Sequence, residues 1–249
     1  MITKEQHAAL CRPFPVEDIE WKLIQAWDRG ESGGIGGRCS AFITAREVMA
    51  RLDLVFGPGG WTSSVVPFEV GKEPGFVCRI TAGGVYHEDV ADLTDVEAVK
   101  GGASGAMKRA AVHFGIGRYL YDLPGGYIQV DPNGAFHGEL RKDGTAGGKT
   151  RFSWNPPALP AWAIPDAVDI RVADSFVAIP IEFATAAKRM DPAKIKDKYL
   201  AVLAQLPKDM ASRPWSDRWD PMTRVDALLE LRAQIALYER EHNVTLELK

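Results

Sequence analysis

The sequence predicts an α+β fold, an antiparallel β-meander packed on helices, with a helical region at its C-terminal end. Three observations predict it. Residues 61–70, 76–82 and 85–93 are short runs rich in β-branched and aromatic residues and divided by glycines. Residues 94–114 follow them with an apolar stripe at helical spacing. After residue 184 the remaining periodic segments are again helical.

Each element can be justified in chain order. Val16, Ile19, Leu23 and Trp27 recur every three or four residues, which predicts an amphipathic helix over 16–27. Residues 29–37 (RGESGGIGG) predict a mobile loop, and 38–43 a short strand. Thr44 with Glu47 predicts a capping box, in which the threonine hydroxyl accepts a backbone N–H and the glutamate reaches back to the cap. Val48, Met49, Leu52, Val55 and Phe56 give the next helix its apolar face, and Gly57 ends it. Gly83-Gly84 predicts a tight hairpin between the last two strands of the meander. Thr94 with Glu97 predicts a second capping box. The helix it opens carries Ala103, Met107, Ala110, Ala111 and Phe114 on one face, with Gly101-Gly102 as a weak point. At about 100° per residue, Lys108 and Arg109 fall off that stripe.

The second half reads differently. Residues 131–180 hold six prolines and five glycines, which predicts a long loop or linker. Two helices follow, over 192–206 and from an Asp220 cap with Pro221 in the first turn to about residue 241. The predicted division is therefore a core over 1–130, a Pro/Gly-rich linker over 131–183 and a helical region over 184–249.

Composition narrows the function. In 249 residues, 46% are hydrophobic and 25% charged, as in ordinary globular chains. No apolar run approaches the ~18 residues of a spanning helix, so no membrane role is expected. The N-terminus lacks the pattern of a secretory signal, and three cysteines suit a reducing compartment. A cytoplasmic setting is expected. The net charge of −3 argues against a uniformly basic nucleic-acid binder. Its distribution argues the other way: residues 99–121 hold Lys100, Lys108, Arg109 and Arg118 and no acid.

Several motifs bear on chemistry. Residues 144–150 (GTAGGKT) approach a nucleotide-binding loop, but Asp143 stands where its first glycine belongs, and Pro156-Pro157 forbids the long helix that should follow. A flexible basic loop fits better. Gly33 to Gly37 lack dinucleotide spacing. His87 and Asp89 share one side of a strand, yet bring no clear third ligand, so a solvated hairpin is expected and no metal. No Ser, Cys or Lys sits in a nucleophile motif, and neither catalysis nor a cofactor is expected. What remains is Lys108-Arg109. On spacing alone the pair fits a wet helix face or a phosphate contact. Tyr119 and Tyr121 beside Arg118 either stack on exposed bases or pack the core.

Taken together, several stretches resemble the Rad-fifty-two type of single-strand annealing protein, including its phage and bacterial, DdrA-like branch. They are residues 18–22 (DIEWK), 41–48 (AFITAREV), 51–61 with its Gly57-Pro58-Gly59-Gly60-Trp61 end, and above all 100–121 (KGGASGAMKRAAVHFGIGRYLY). The resemblance covers about residues 14–130. It implies a sheet-and-helix core that assembles into rings or helical filaments, with single-stranded DNA in a basic outer groove and no nucleotide required. It carries DNA contact to Lys108, Arg109 and Arg46, and further to Lys100, Arg118, Arg38 and Tyr119. Val112 and Pro58 depart from the pattern, standing where eukaryotic members carry a cation and an aromatic. That weakens the groove or shifts work to Arg38 and Arg118. The implied function is ATP-independent annealing of complementary strands in recombination and repair, in a bacterial cytoplasm or nucleoid or encoded by a phage. Partners expected beyond DNA are further copies of the chain and, through 184–249, a single-strand DNA-binding protein or a recombinase. The competing readings are a scaffold that recruits replication or repair factors through the C-terminal helices, and an ATP-dependent recombinase using residues 144–150.

Overall fold

The computed structural model describes residues 1–30, 33–94, 97–141, 148–172, 175–207 and 224–246. They form two compact units, Met1–Ile164 and Pro165–Lys249. The fold is α+β with antiparallel sheets, as the sequence predicts.

The first unit opens with α1 (Lys4–Cys11). The Thr3 hydroxyl accepts the Gln6 N–H, while the Gln6 side chain accepts the Thr3 N–H, so two orphan donors are satisfied at once. The predicted helix over 16–27 does not form. A single 3₁₀ turn (Val16–Asp18) leads into strand β1 (Glu20–Asp28). The cause is a bulge: the register of β1 against β2 (Ile35–Phe42) shifts between Leu23 and Gln25. Trp21, Leu23 and Ala26 all pack on the core, while Ile24 is exposed. One inserted residue turns the strand period of two into spacings of two and three, which imitate a helix. The glycine loop is also shorter than expected, because Gly36 and Gly37 already belong to β2.

Helix α2 (Ala45–Phe56) is capped by Thr44, whose hydroxyl accepts the Arg46 N–H at 3.1 Å. Glu47 takes the threonine O–H rather than reaching the cap backbone. Strands β3 (Trp61–Val70), β4 (Glu73–Ala82) and β5 (Val85–Asp92) make the predicted meander with β4 in the middle. Gly83 and Gly84, at φ of 58° and 76°, supply the left-handed backbone that a two-residue hairpin requires. Cys78 and Ile80 point inward from β4 and are fully buried.

Helix α3 (Ala98–His113) packs on β4 and β5. The predicted Thr94 cap is not used: Glu97 takes the cap position in a left-handed conformation, and its side chain does not bond the helix N–H groups. Gly102 is no weak point. A Cβ there would lie 2.9 Å from the Phe76 ring and 3.0 Å from the Asp92 carbonyl, so glycine is what lets the helix sit down on the sheet.

The described residues of 126–141 and 148–155 form strands rather than a loop. Strand β6 (Gly126–Tyr127) extends the β1–β2 sheet, and β7 (Gln129–Val130), β9 (Lys149–Asn155) and β8 (Phe136–Arg141) form a third sheet in that order. Leu140, Phe152 and Trp154 bury against Cys39 and Ile128. The prolines and glycines punctuate these strands rather than replace them.

In the second unit, strands β10 (Ala167–Val172) and β11 (Ser175–Pro180) pair as a hairpin against helices α4 (Ile181–Lys188), α5 (Pro192–Leu203) and α6 (Arg224–His242). Their core includes Ile179, Ile195, Leu231 and Ile235. The expected Asp220 cap and Pro221 lie outside the described residues.

Candidate nucleic-acid interface

Helix α3 divides its residues by direction. Ala106, Met107, Ala110 and Ala111 bury against the sheet, which leaves Lys108 and Arg109 as consecutive cations aimed elsewhere. Both line an open groove of about 690 Å³, which β2 borders with Arg38. Trp21 of β1, Phe42 of β2 and Tyr121 add ring faces to it, and Pro157 to Pro160 form an uncharged wall.

Lys108 is half-buried, with its ammonium 4.7 Å from the centre of the Phe42 ring. Burial pushes its pKa down, Glu20 pulls it back up, and Lys22 adds to the lowering. A desolvated cation of this kind binds an incoming anion more strongly than a hydrated one does. Arg109 is exposed, and its Nε donates to Asp89 at 3.1 Å. Asp89 also meets His113 Nε2 at 3.2 Å. Burial alone would raise the Asp89 carboxyl, but the Val90 N–H and Arg109 outweigh it and hold the pKa below the usual range. His113 stacks on His87 with ring centres 5.5 Å apart. This explains the shared face of His87 and Asp89 as an anchor for Arg109 and His113. Among the described residues, no group of three or more His, Cys, Asp or Glu is arranged to hold a metal.

The other predicted contacts lie off the groove. Arg46 is exposed in the first turn of α2, where the helix dipole disfavours a cation. Lys100 is exposed on α3 and pairs with Glu97 at 3.0 Å. Arg118 closes the end of α3: its Nε and Nη2 donate to the Val112 carbonyl at 2.9 and 2.7 Å, and Nη2 also donates to that of His113 at 2.8 Å. Tyr119 is half-buried, and its hydroxyl accepts the Phe14 N–H at 3.0 Å. Burial pushes that phenol up. Its neighbour Tyr121 is 69% exposed and faces the groove instead.

Trp21, Phe42 and the wall at 157–160 did not emerge from the sequence as part of the site. Reading β1 as a strand would have brought Trp21 forward. No local signal marks Pro157 to Pro160, which reach the groove only through the fold. Most of the nucleotide-loop candidate lies outside the described residues, and Lys149 at its end sits in β9 with its ammonium 3.1 Å from Glu139.

Comparison with known proteins gives the family. The profile of the Rad52/22 family of double-strand break repair proteins matches residues 3–131. A protein of Deinococcus deserti named single-stranded DNA-binding protein DdrA is 36% identical over 160 residues, covering 63% of this chain and 69% of that protein. Its namesake in Deinococcus radiodurans is 35% identical over 159 residues, covering 63% and 66%. The matched segment contains every cation of the groove and stops short of the Pro157 to Pro160 wall.

Proposed function

Because the chain belongs to the Rad52/22 family, we propose that it binds single-stranded DNA along the groove beside α3 and anneals complementary strands in recombination and repair, without nucleotide or catalysis. The observation that carries this reading is the pair of consecutive cations, Lys108 and Arg109, opening into one groove with Arg38 and the rings of Trp21 and Tyr121. Phosphates need cations, and exposed bases need ring faces. Binding through the backbone leaves base edges free to test a second strand, and pairing then supplies the free energy. Arg46, Lys100 and Arg118 would be outlying contacts for a strand that leaves the groove.

A single groove offers few cations, so assembly matters. We read the meander as the surface that joins copies of the chain. Val66, Val70, Tyr86 and Val90 are exposed on one face of β3 and β5, the two outer strands of that sheet. Covering them with a second copy would hide apolar area and set grooves side by side, and linked sites multiply affinity. The C-terminal unit would serve a protein partner. No described helix is long and apolar enough to cross a membrane. A DNA ligand would call for a setting in the cytoplasm or nucleoid.

The test is annealing of two complementary labelled oligonucleotides without ATP or metal, for the wild type and for Lys108→Gln/Arg109→Gln. Wild type should anneal, and the double variant should anneal at least tenfold more slowly. Two lost phosphate contacts should flatten the slope of log affinity against log salt by about 1.4. A folded wild type that does not anneal would sink the proposal. Annealing that survives the double substitution would keep the function and move the site toward Arg38 and Arg46.

A further inference from the structure

The second unit contains a cavity that the DNA reading leaves unexplained. It measures about 240 Å³ and lies between α4, α5 and α6. Phe183, Val202, Leu228, Leu231 and Ile235 make it apolar, and Lys198, Arg232 and Glu239 make it charged. Lys198 is exposed at the cavity, with its ammonium 5.8 Å from the centre of the Phe183 ring. Arg232 is the odd member. Its Nη1 is buried and has no hydrogen-bond partner among the described residues. Its ion-pair partner, Glu239, holds Oε2 3.6 Å away, beyond hydrogen-bonding distance. Of that carboxylate, Oε2 faces Arg232, while Oε1 accepts the Leu246 N–H at 2.8 Å.

A buried guanidinium N–H without an acceptor is costly, and native proteins rarely leave one unmet. Among the described lining residues two cations stand against one acid, so a single negative charge would balance them. That charge must arrive with apolar bulk, because most of the lining is aliphatic or aromatic. The cavity is also smaller than the ~300 Å³ at which drug-sized sites begin, so one residue, not a long segment, fills it. Within a polypeptide, only the chain-terminal residue carries a carboxylate and a large apolar side chain on the same Cα. An internal acid would need a second residue to supply the bulk.

We infer that this cavity of the C-terminal unit captures the last residue of a partner protein, its terminal carboxylate on Arg232 and Lys198 and a large apolar side chain among Phe183, Leu228 and Ile235. The inference is independent of the groove. It gives the C-terminal unit a ligand class of its own.

Fluorescence anisotropy of the full chain tests it. The probe is a fluorescein-labelled Gly-Ser-Gly-Phe peptide with a free C-terminus. Its controls are the same peptide as the C-terminal amide and an amidated Gly-Phe-Asp-Gly, which offers an internal acid instead. The free acid should bind saturably, and both controls at least tenfold more weakly. Arg232→Gln should weaken the free acid at least fivefold. Lys198→Gln should do so as well, and because that side chain is exposed the change does not threaten the fold. Glu239→Gln removes the competing carboxylate and should tighten binding, a sign that mere damage to packing would not give. Absence of saturable binding, equal binding of acid and amide, or preference for the internal acid would each overturn the inference.

Discussion

At the junction of α1 and α2, Arg51 is 8% exposed, and its Nη1 donates to the carbonyls of Ala9, Leu10 and Arg12 at 2.8, 3.3 and 2.7 Å. Its guanidinium also lies 4.1 Å from the centre of the Phe14 ring. At the groove, Lys108 rests over a ring and Arg109 shares one carboxylate with a histidine. The first region consumes its cation to join two helices. The second holds its cations in place and leaves them facing a cavity. The difference teaches that charge in a sequence does not mark a binding site. What marks it is whether the backbone has already taken the donors, and Arg118 at the end of α3 belongs with Arg51 in that respect.

Substitutions can break or sharpen this contrast. The largest effect should come from Arg51→Met, which strips the donor from three carbonyls. It should cost on the order of 3 kcal/mol of stability, read by urea unfolding, while the protein that remains folded keeps its affinity for single-stranded DNA. Lys108→Gln/Arg109→Gln should give the mirror image. Stability should change by no more than about 0.5 kcal/mol, as for surface changes, while affinity for single-stranded DNA falls at least tenfold in a filter-binding titration. Loss of stability without loss of affinity would reverse the assignment of the two regions.

The two tyrosines repeat the contrast on a smaller scale. Tyr121→Ser should remove about 1 kcal/mol of binding if one base stacks on that ring, with stability nearly unchanged. Tyr119→Phe should leave DNA affinity alone and cost about 1 kcal/mol of stability, because the Phe14 N–H loses its acceptor. Equal effects on binding would mean that both rings face the strand.

The smallest effect concerns the histidine pair that backs Arg109. Burial, with His113 and Arg118 close by, holds the His87 imidazole below its ordinary pKa. The unfolded chain therefore takes up a proton there before the folded protein does. Stability should fall as pH drops through the unfolded value of ~6.5. Replacing His87 with Gln should make the dependence of unfolding midpoint on pH shallower between about pH 7.5 and 5.5. A slope that does not change would remove His87 from that account.

Much of the first unit was legible in the sequence because its signals are local. The meander, the Gly83-Gly84 turn, the Thr44 cap and the buried face of α3 each follow from propensity and period within a few residues. So does the projection of Lys108 and Arg109 away from the core. Strand β1 was misread because one bulged residue, Ile24, shifts a period of two toward the period of a helix. Strands β8 and β9 were missed because prolines and glycines around them are stronger local signals than Phe152 and Trp154 within them.

The sequence by itself determined the fold class, the family and the helix that carries the cations, since periodicity and motif order are properties of the chain. Tertiary structure alone decided which cations remain available. Arg51 is spent on the Ala9, Leu10 and Arg12 carbonyls, which only packing brings near, and Tyr119 is spent on Phe14, 105 residues earlier in the chain. The proline wall at 157–160 reaches the groove for the same reason. Hydrogen bonds and burial depend on distance in space, and a sequence states only distance along the chain.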